Sequence, residues 1–363
     1  MESISRRTWF KQHLALAAAV ATMGTGAPLL PKRADARRHG VFKLAMSLRL
    51  DQTERLFICK QLGVTHAITS GPFDKIGRDQ YDAAARKLAN DFAEAGFKIA
   101  GIEGHPVRFG NIKLGTKGRD EEIRNTNAAI EALSKAGIDM ICYNFMAGLG
   151  WYRTNNRIPE RGGALTSEFS LEDSIKEGLT DHGEISEEKM WENLTYFLER
   201  VIPVAEKWKV KMAAHPDDPP ISPLRGIARI LTSGNNYRRL MNIAPSPFNG
   251  ITFCQANFRA MGENIYELAR EFCEMGKVFF VHFRDIEGTR EKFHETFHDN
   301  GPTDMAKMLE TYSRSGFDGP IRPDHAPTLY GENENSRGYG LTGKVFAFGY
   351  MIGIMDALNL PYV

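Results

Sequence analysis

Lys211-Met-Ala-Ala-His215, Gly250-Ile-Thr-Phe-Cys254, Val278-Phe-Phe-Val-His282 and Gly319-Pro-Ile-Arg-Pro-Asp324 are four short runs, mostly apolar, each closing on a residue able to ligate a metal. Runs of this length read as buried strands. In a parallel α/β barrel the C-terminal strand ends converge on one mouth, where such folds do their chemistry. Two imidazoles, a thiolate and a carboxylate aimed at that mouth suit a divalent transition metal. His215, Cys254, His282 and Asp324 are therefore expected to bind a metal, and the chain is expected to be a metalloenzyme.

Working outward, four more strand-like runs lie near 42–48, 66–71, 98–104 and 140–145. Helical patterns alternate with the strands, at Tyr81–Ala95, Asp120–Ala136, Glu187–Trp208, Gly262–Met275, Asp304–Gly316 and Thr342–Leu358. Eight strand–helix repeats predict a (β/α)8 TIM barrel over a single domain, residues 37–363. A doubly wound sheet would carry a Gly-rich phosphate turn after its first strand, and none is present. Two connections, 146–186 and 284–301, are long for βα loops and are expected to form a lid or substrate wall on the catalytic face.

The residues around the ligands suggest further roles. His215 opens His-Pro-Asp-Asp-Pro-Pro220, where Asp217 and Asp218 are placed to orient imidazoles. Arg284, two residues past His282, offers a planar fork for a substrate carboxylate. His325, directly after Asp324, can transfer protons near neutral pH, and Tyr339 in Arg-Gly-Tyr-Gly-Leu341 is a second acid/base candidate. His294 and His298 match the spacing of a zinc-protease helix, but they fall in a long loop and read as substrate-loop residues. Cys59, Cys142 and Cys273 read as buried small hydrophobes, and four scattered cysteines do not make a disulfide scaffold.

The composition, 42% hydrophobic and 25% charged over 363 residues, is that of a soluble globular chain. Its net charge of +1 is uneven, because residues 1–36 carry Arg6, Arg7, Lys11, Lys32 and Arg33 against Glu2 and Asp35. The slightly acidic remainder has no basic footprint for nucleic acid or anionic lipid. Ser5-Arg6-Arg7-Thr8-Trp9-Phe10-Lys11, an Ala-rich stretch and Ala34-Asp35-Ala36 predict a twin-arginine signal peptide over 1–36. That implies an exported, periplasmic protein with no membrane anchor once cleaved.

A set of phrases gives the chain a family resemblance. They are Ile112-Lys-Leu-Gly115, Gly118-Arg-Asp120, Ala136-Gly-Ile138, Cys142-Tyr-Asn-Phe-Met146, Trp151-Tyr-Arg-Thr154, His215-Pro-Asp-Asp-Pro-Pro220, Phe293-His-Glu-Thr296, Gly316-Phe-Asp-Gly319, Arg322-Pro-Asp-His325 and Gly338-Tyr-Gly-Leu341. From about residue 42 to the C-terminus the chain resembles the mannonate dehydratases. The resemblance implies a xylose-isomerase-like barrel that converts D-mannonate to 2-keto-3-deoxy-D-gluconate and water with Mn2+ or Fe2+. It implies the same four metal ligands, proton transfer by His325 and Tyr339, and a substrate clamp of Arg49, Asn144 and Arg153. The chain departs from the family pattern at Leu50, at Ala147-Gly-Leu-Gly150 and at Ala326-Pro327, all near the substrate wall. The alternatives are a sugar isomerase or epimerase on the same barrel and a non-catalytic sugar- or metal-binding protein. The expected partner is a small sugar acid, and the expected assembly a homo-oligomer.

Overall fold

The computed structural model describes residues 39–363, and the expected signal segment lies outside them. In chain order the strands are β1 (Lys43–Ser47), β2 (His66–Thr69), β3 (Lys98–Glu103), β4 (Met140–Asn144), β5 (Asn155–Pro159), β6 (Leu165–Ser170), β7 (Lys211–His215), β8 (Asn249–Cys254), β9 (Val278–Phe283), β10 (Ile286–Gly288), β11 (Lys292–Glu295) and β12 (Pro320–Pro323). The α-helices are α1 (Thr53–Gln61), α2 (Tyr81–Glu94), α3 (Gly110–Leu114), α4 (Arg119–Lys135), α5 (Leu171–Lys176), α6 (Glu187–Trp208), α7 (Gly234–Ile243), α8 (Gln255–Ala260), α9 (Ile265–Glu274), α10 (Met305–Arg314) and α11 (Leu341–Ala357). Strands β1, β2, β3, β4, β7, β8, β9 and β12 close into a parallel barrel, the (β/α)8 architecture read from the sequence.

Strand alternation decides which side chains reach the barrel interior. Leu44, Met46, Ile141, Tyr143, Met212, Ala214, Val281 and Phe283 pack outward in the main core between sheet and helices. Ala45, Ile68, Met140, Cys142, Ala213 and Phe280 fill the barrel floor. Gly101 makes room for that plug, because a Cβ there would lie 2.2 Å from Met140 Cε. Helix ends follow local chemistry: Ser186 Oγ accepts from Lys189 N at the start of α6, and Asp304 caps α10 through Lys307 N. No described helix is long and apolar enough to cross a membrane.

The long connections after β4 and β9 hold regular structure that the sequence reading left as loop. They supply β5, β6, β10 and β11, which form one antiparallel sheet in the order β10-β11-β6-β5. Phe293 on β11 lies opposite Phe169 on β6, so two segments far apart in sequence are zipped together beside the mouth. A small apolar cluster with Phe169, Ile221, Leu224, Ala256, Ile286 and Phe293 supports the sheet. His294 and His298 are accordingly not the substrate-loop residues expected. Neither lines the mouth cavity: His294 faces Glu160 and Glu287 on β11's outer side, and buried His298 bonds the Phe283 carbonyl at 2.8 Å.

Candidate active site

The barrel register builds the floor of the site. Asn144 pairs with His215, Cys254 with His282, and His282 with Arg322, so the last inward positions of β4, β7, β8, β9 and β12 form one layer. Asp324 follows one inward step higher, its N–H bonded to the Phe283 carbonyl at 3.1 Å. Above them opens a cavity of about 350 Å³ lined by Glu103, Asn144, Trp151, His215, His282, Arg322, Asp324, His325 and Tyr339, among others.

His215, Cys254 and His282 place one ligand atom each within 4.8 Å of one another. Burial first, then the neighbouring imidazole, pushes His215 down to about 4, and burial also lowers His282, so both rings are neutral near pH 7. A neutral imidazole has one N–H, and its partners decide where it sits. His215 Nδ1 lies 2.7 Å from the Pro216 carbonyl, an acceptor only. His282 Nε2 lies 3.2 Å from Glu103 Oε1. Although burial works against its charge, Arg322 and then His282 keep Glu103 ionised, well below the usual carboxylate range. His215 Nε2 and His282 Nδ1 face one another 3.1 Å apart beside the Cys254 thiol, and two neutral imidazole nitrogens and a thiol at that spacing suit a shared cation. Asp324 Oδ2 lies 3.6 Å from His282 Nδ1, and its Oδ1 is ion-paired with Arg322 Nη1 at 2.8 Å. His215, Cys254 and His282 thus come together as a group whose chemistry fits a divalent metal, with Asp324 beside His282.

The partners of these rings differ from expectation. Asp217 and Asp218 do not touch the imidazoles. Asp217 Oδ2 accepts from Ile230 N and Leu231 N, and Asp218 pairs with Arg153 and Arg284. The Pro216 carbonyl and Glu103 hold the rings instead.

On the far wall His325 Nε2 sits 3.0 Å from Tyr339 Oη, and His325 Nδ1 sits 3.0 Å from Glu295 Oε1. Trp151 packs against the same imidazole, ring centroids 5.2 Å apart. Gly338 (φ +86°) lets the Tyr339 loop approach, because a Cβ there would lie 2.9 Å from His325 Cβ. The Tyr339 ring is 39% exposed, yet its hydroxyl turns into the cavity, where burial and then Asp324 raise its pKa.

The arginines need correction. Arg284 is buried and spends its donors on Asp324 (2.8 Å), Glu295 (2.8 Å), Asp218 (2.7 Å) and Asn257 (2.9 Å), so it has no fork left for a substrate. Arg153 is likewise committed to Asp218 and Glu295. Arg49 lies exposed, paired with Asp51 at 3.0 Å, off the cavity wall. Of the four expected substrate residues only Asn144 lines the cavity. The guanidinium that does line it is Arg322, held by Glu103 at 2.7 Å and Asp324 at 2.8 Å. Sequence reasoning passed over Glu103, Glu295 and Arg322. Glu103 and Arg322 share the strand-end placement used for the ligands, whereas Glu295 sits on a strand of the second sheet.

A closed parallel barrel with this cluster at its mouth defines a xylose-isomerase-like metal-dependent enzyme. The same fold occurs in solved structures of low identity, such as the IOLI protein with a bound zinc atom (TM-score 0.55, 16% identity, 87% of this chain and 99% of that one). The chain itself belongs to the D-mannonate dehydratase (UxuA) family, which matches residues 51–173 and 170–362. Curated mannonate dehydratases of Thermotoga petrophila and Streptococcus agalactiae are each 37% identical across 75% of this chain and 85% of their own. The crystal structure of mannonate dehydratase from Streptococcus suis serotype 2 superposes with a TM-score of 0.76, at 27% identity, over 89% of this chain and 96% of that one. The protein is thus a hydro-lyase, a metal-dependent dehydratase of a sugar acid, which decides against the isomerase and binding-protein readings.

The family also overturns the expected location. The matching mannonate dehydratases are cytoplasmic metabolic enzymes, which points away from periplasmic export. The family match begins at residue 51 and lends the expected twin-arginine signal no support.

Proposed function

We propose that this chain converts D-mannonate to 2-keto-3-deoxy-D-gluconate and water, with Mn2+ or Fe2+ held by His215, Cys254, His282 and Asp324. The observation that carries this reading is that His215 and His282, with Cys254 buried beside them, and the His325–Tyr339 pair line one cavity. A thiolate among the ligands favours a transition ion over Mg2+. The ion would supply Lewis acidity, holding substrate oxygen and drawing off the charge that builds when C2 loses its proton.

The chain's own residues do the rest. Glu295 accepts only, so the His325 proton sits on Nδ1 and Nε2 is left as a base facing the cavity. Tyr339 keeps its hydroxyl proton at neutral pH and stands 3.0 Å away as the acid. In this reading His325 takes the C2 proton and Tyr339 protonates the C3 hydroxyl as it leaves as water. The resulting enol gains a proton at C3 and gives up the proton of its C2 hydroxyl to yield the 2-keto product. Arg322, with a buried Nε that has no partner, and Asn144 bind substrate oxygens. Homo-oligomeric assembly belongs to the same reading and is checked by light scattering.

The test is turnover of D-mannonate by the full chain loaded separately with Mn2+, Fe2+ and Zn2+, following 2-keto-3-deoxy acid. Product formed only with metal, and lost in His325→Asn, is the expected outcome. Binding of D-mannonate without product would sink the assignment.

A further inference from the structure

The Ile112-Lys-Leu-Gly115 phrase, distinctive in sequence, has no part in the chemistry described so far. Lys113 lies on α3, outside the cavity, and α3 is pinned from two sides. Glu122 accepts from Ile112 N at 3.0 Å and Asn111 Nδ2 at 2.8 Å, while Asn193 Nδ2 donates to the Lys113 carbonyl at 2.9 Å. From this base Lys113 Nζ donates to Asn144 Oδ1 at 2.7 Å, and Met146 N donates to the same oxygen at 3.3 Å.

A carboxamide can present either its oxygen or its nitrogen in a given direction, and only the surrounding bonds decide which. The Met146 N–H can only donate, and the Lys113 amine, charged or neutral, has N–H groups to donate, so the oxygen of Asn144 faces them both. We infer that Lys113 is a positioning residue that locks the Asn144 carboxamide with Nδ2 turned to the cavity, as a donor to an oxygen of the sugar acid. This rests on the dehydratase reading above, in which Asn144 faces the substrate.

The surroundings of Lys113 suit that task. The ring of His105 stacks on Phe109, centroids 3.8 Å apart, and lies near Asn144. Burial, and then Lys113, holds His105 neutral. Burial and then Arg229 push Lys113 down to about 7, while Asp217 and Glu122 favour its charge. Its bond to Asn144 is made away from bulk water, where such a bond directs a partner strongly. A locked donor serves carboxylate and enediolate oxygens and cannot accept from a substrate hydroxyl, which makes the pair a determinant of specificity.

The experiment is a double-mutant cycle on the metal-loaded full chain with Lys113→Met, Asn144→Ala and the double variant. It reads kcat and KM for D-mannonate, its Kd by calorimetry, and metal content. Loss of one hydrogen bond to a charged oxygen is expected to raise KM and Kd roughly tenfold in each single variant, with metal content unchanged. Because Lys113 acts through Asn144, the double variant is expected to be no worse than the weaker single one. Fold-changes that multiply, or an unchanged KM in Lys113→Met, overturn the inference.

Should Lys113→Met fail to fold, Asn144→Asp decides. It keeps an oxygen for Lys113 but turns an acceptor to the cavity, so it is expected to bind D-mannonate as poorly as Asn144→Ala; affinity near wild type overturns the inference. A wild type that binds D-mannonate without turning it over strikes the reaction alone, since the cycle still runs in Kd. A wild type that neither binds nor dehydrates it overturns both.

Discussion

His325 can act as a base only if its proton is kept off Nε2, and Glu295 is the residue placed to do that. Its Oε1 accepts from His325 Nδ1, Arg153 Nη2 and Arg284 Nη1 together. A glutamine there must turn its amide nitrogen toward the guanidinium of Arg284, a donor facing a donor. Glu295→Gln is therefore expected to lower kcat about a hundredfold, on the scale of a general base set in the wrong form, with metal content retained; an unchanged kcat would show the tautomer is set elsewhere. At the proposed metal site, burial pushes the Cys254 thiol up to about 12, so a cation that rewards a thiolate is needed to draw its proton off. Cys254→Ser is expected to weaken Zn2+ far more than Mn2+, measured by competition with a chelator. Equal losses for both ions would remove Cys254 from the ligand set.

At the scale of elements, the barrel was legible in the sequence because its signals are local. Each strand is a short apolar run, and alternation within it names the residue that reaches the mouth, as His215, Cys254 and His282 do. The α6 boundaries fell where the sequence put them because Ser186 and the apolar periodicity mark them locally. The β5-β6-β10-β11 sheet was not legible, because it is joined through Phe293 and His294, which meet Phe169 and Glu168 only across a long stretch of chain. The substrate arginines failed for a related reason: a guanidinium advertises charge, and nothing local says that Asp218 and Glu295 will claim it. The second sheet carries Glu295 toward the site, and its Phe293 packs on Phe169 with ring centroids 5.7 Å apart. Phe293→Ala is expected to cost ~3 kcal/mol and to lower kcat even where the protein remains folded. Leu309→Ala, in the outer core on α10, is expected to lose similar stability with kcat unchanged. Parallel behaviour of the two variants in denaturation and turnover would mean that the sheet does not support the site.

At the scale of the whole molecule, buried neutral histidines make stability depend on pH. Burial and then Lys344 push His298 down to about 4, against roughly 6.5 for an unfolded chain. Between those values the unfolded state binds a proton that the native state refuses, so stability falls as pH falls through that window. His298 alone contributes about 3 kcal/mol of loss over that range, as an order of magnitude. His298→Gln keeps a donor for the Phe283 carbonyl, and its urea midpoint is expected to fall less between pH 6.5 and 4 than that of the wild type; identical slopes would place the proton elsewhere. The second sheet has a consequence of another kind, in the order of assembly. Its strands come from the connections after β4 and β9, so β6 and β11 pair across the intervening chain that carries β7, β8 and β9. Closing so long a loop is slow relative to local helix and strand formation. Refolding from urea should therefore restore far-ultraviolet circular dichroism before dehydratase activity, and a chain caught between those stages would own a barrel and yet be unable to hold His325 in place.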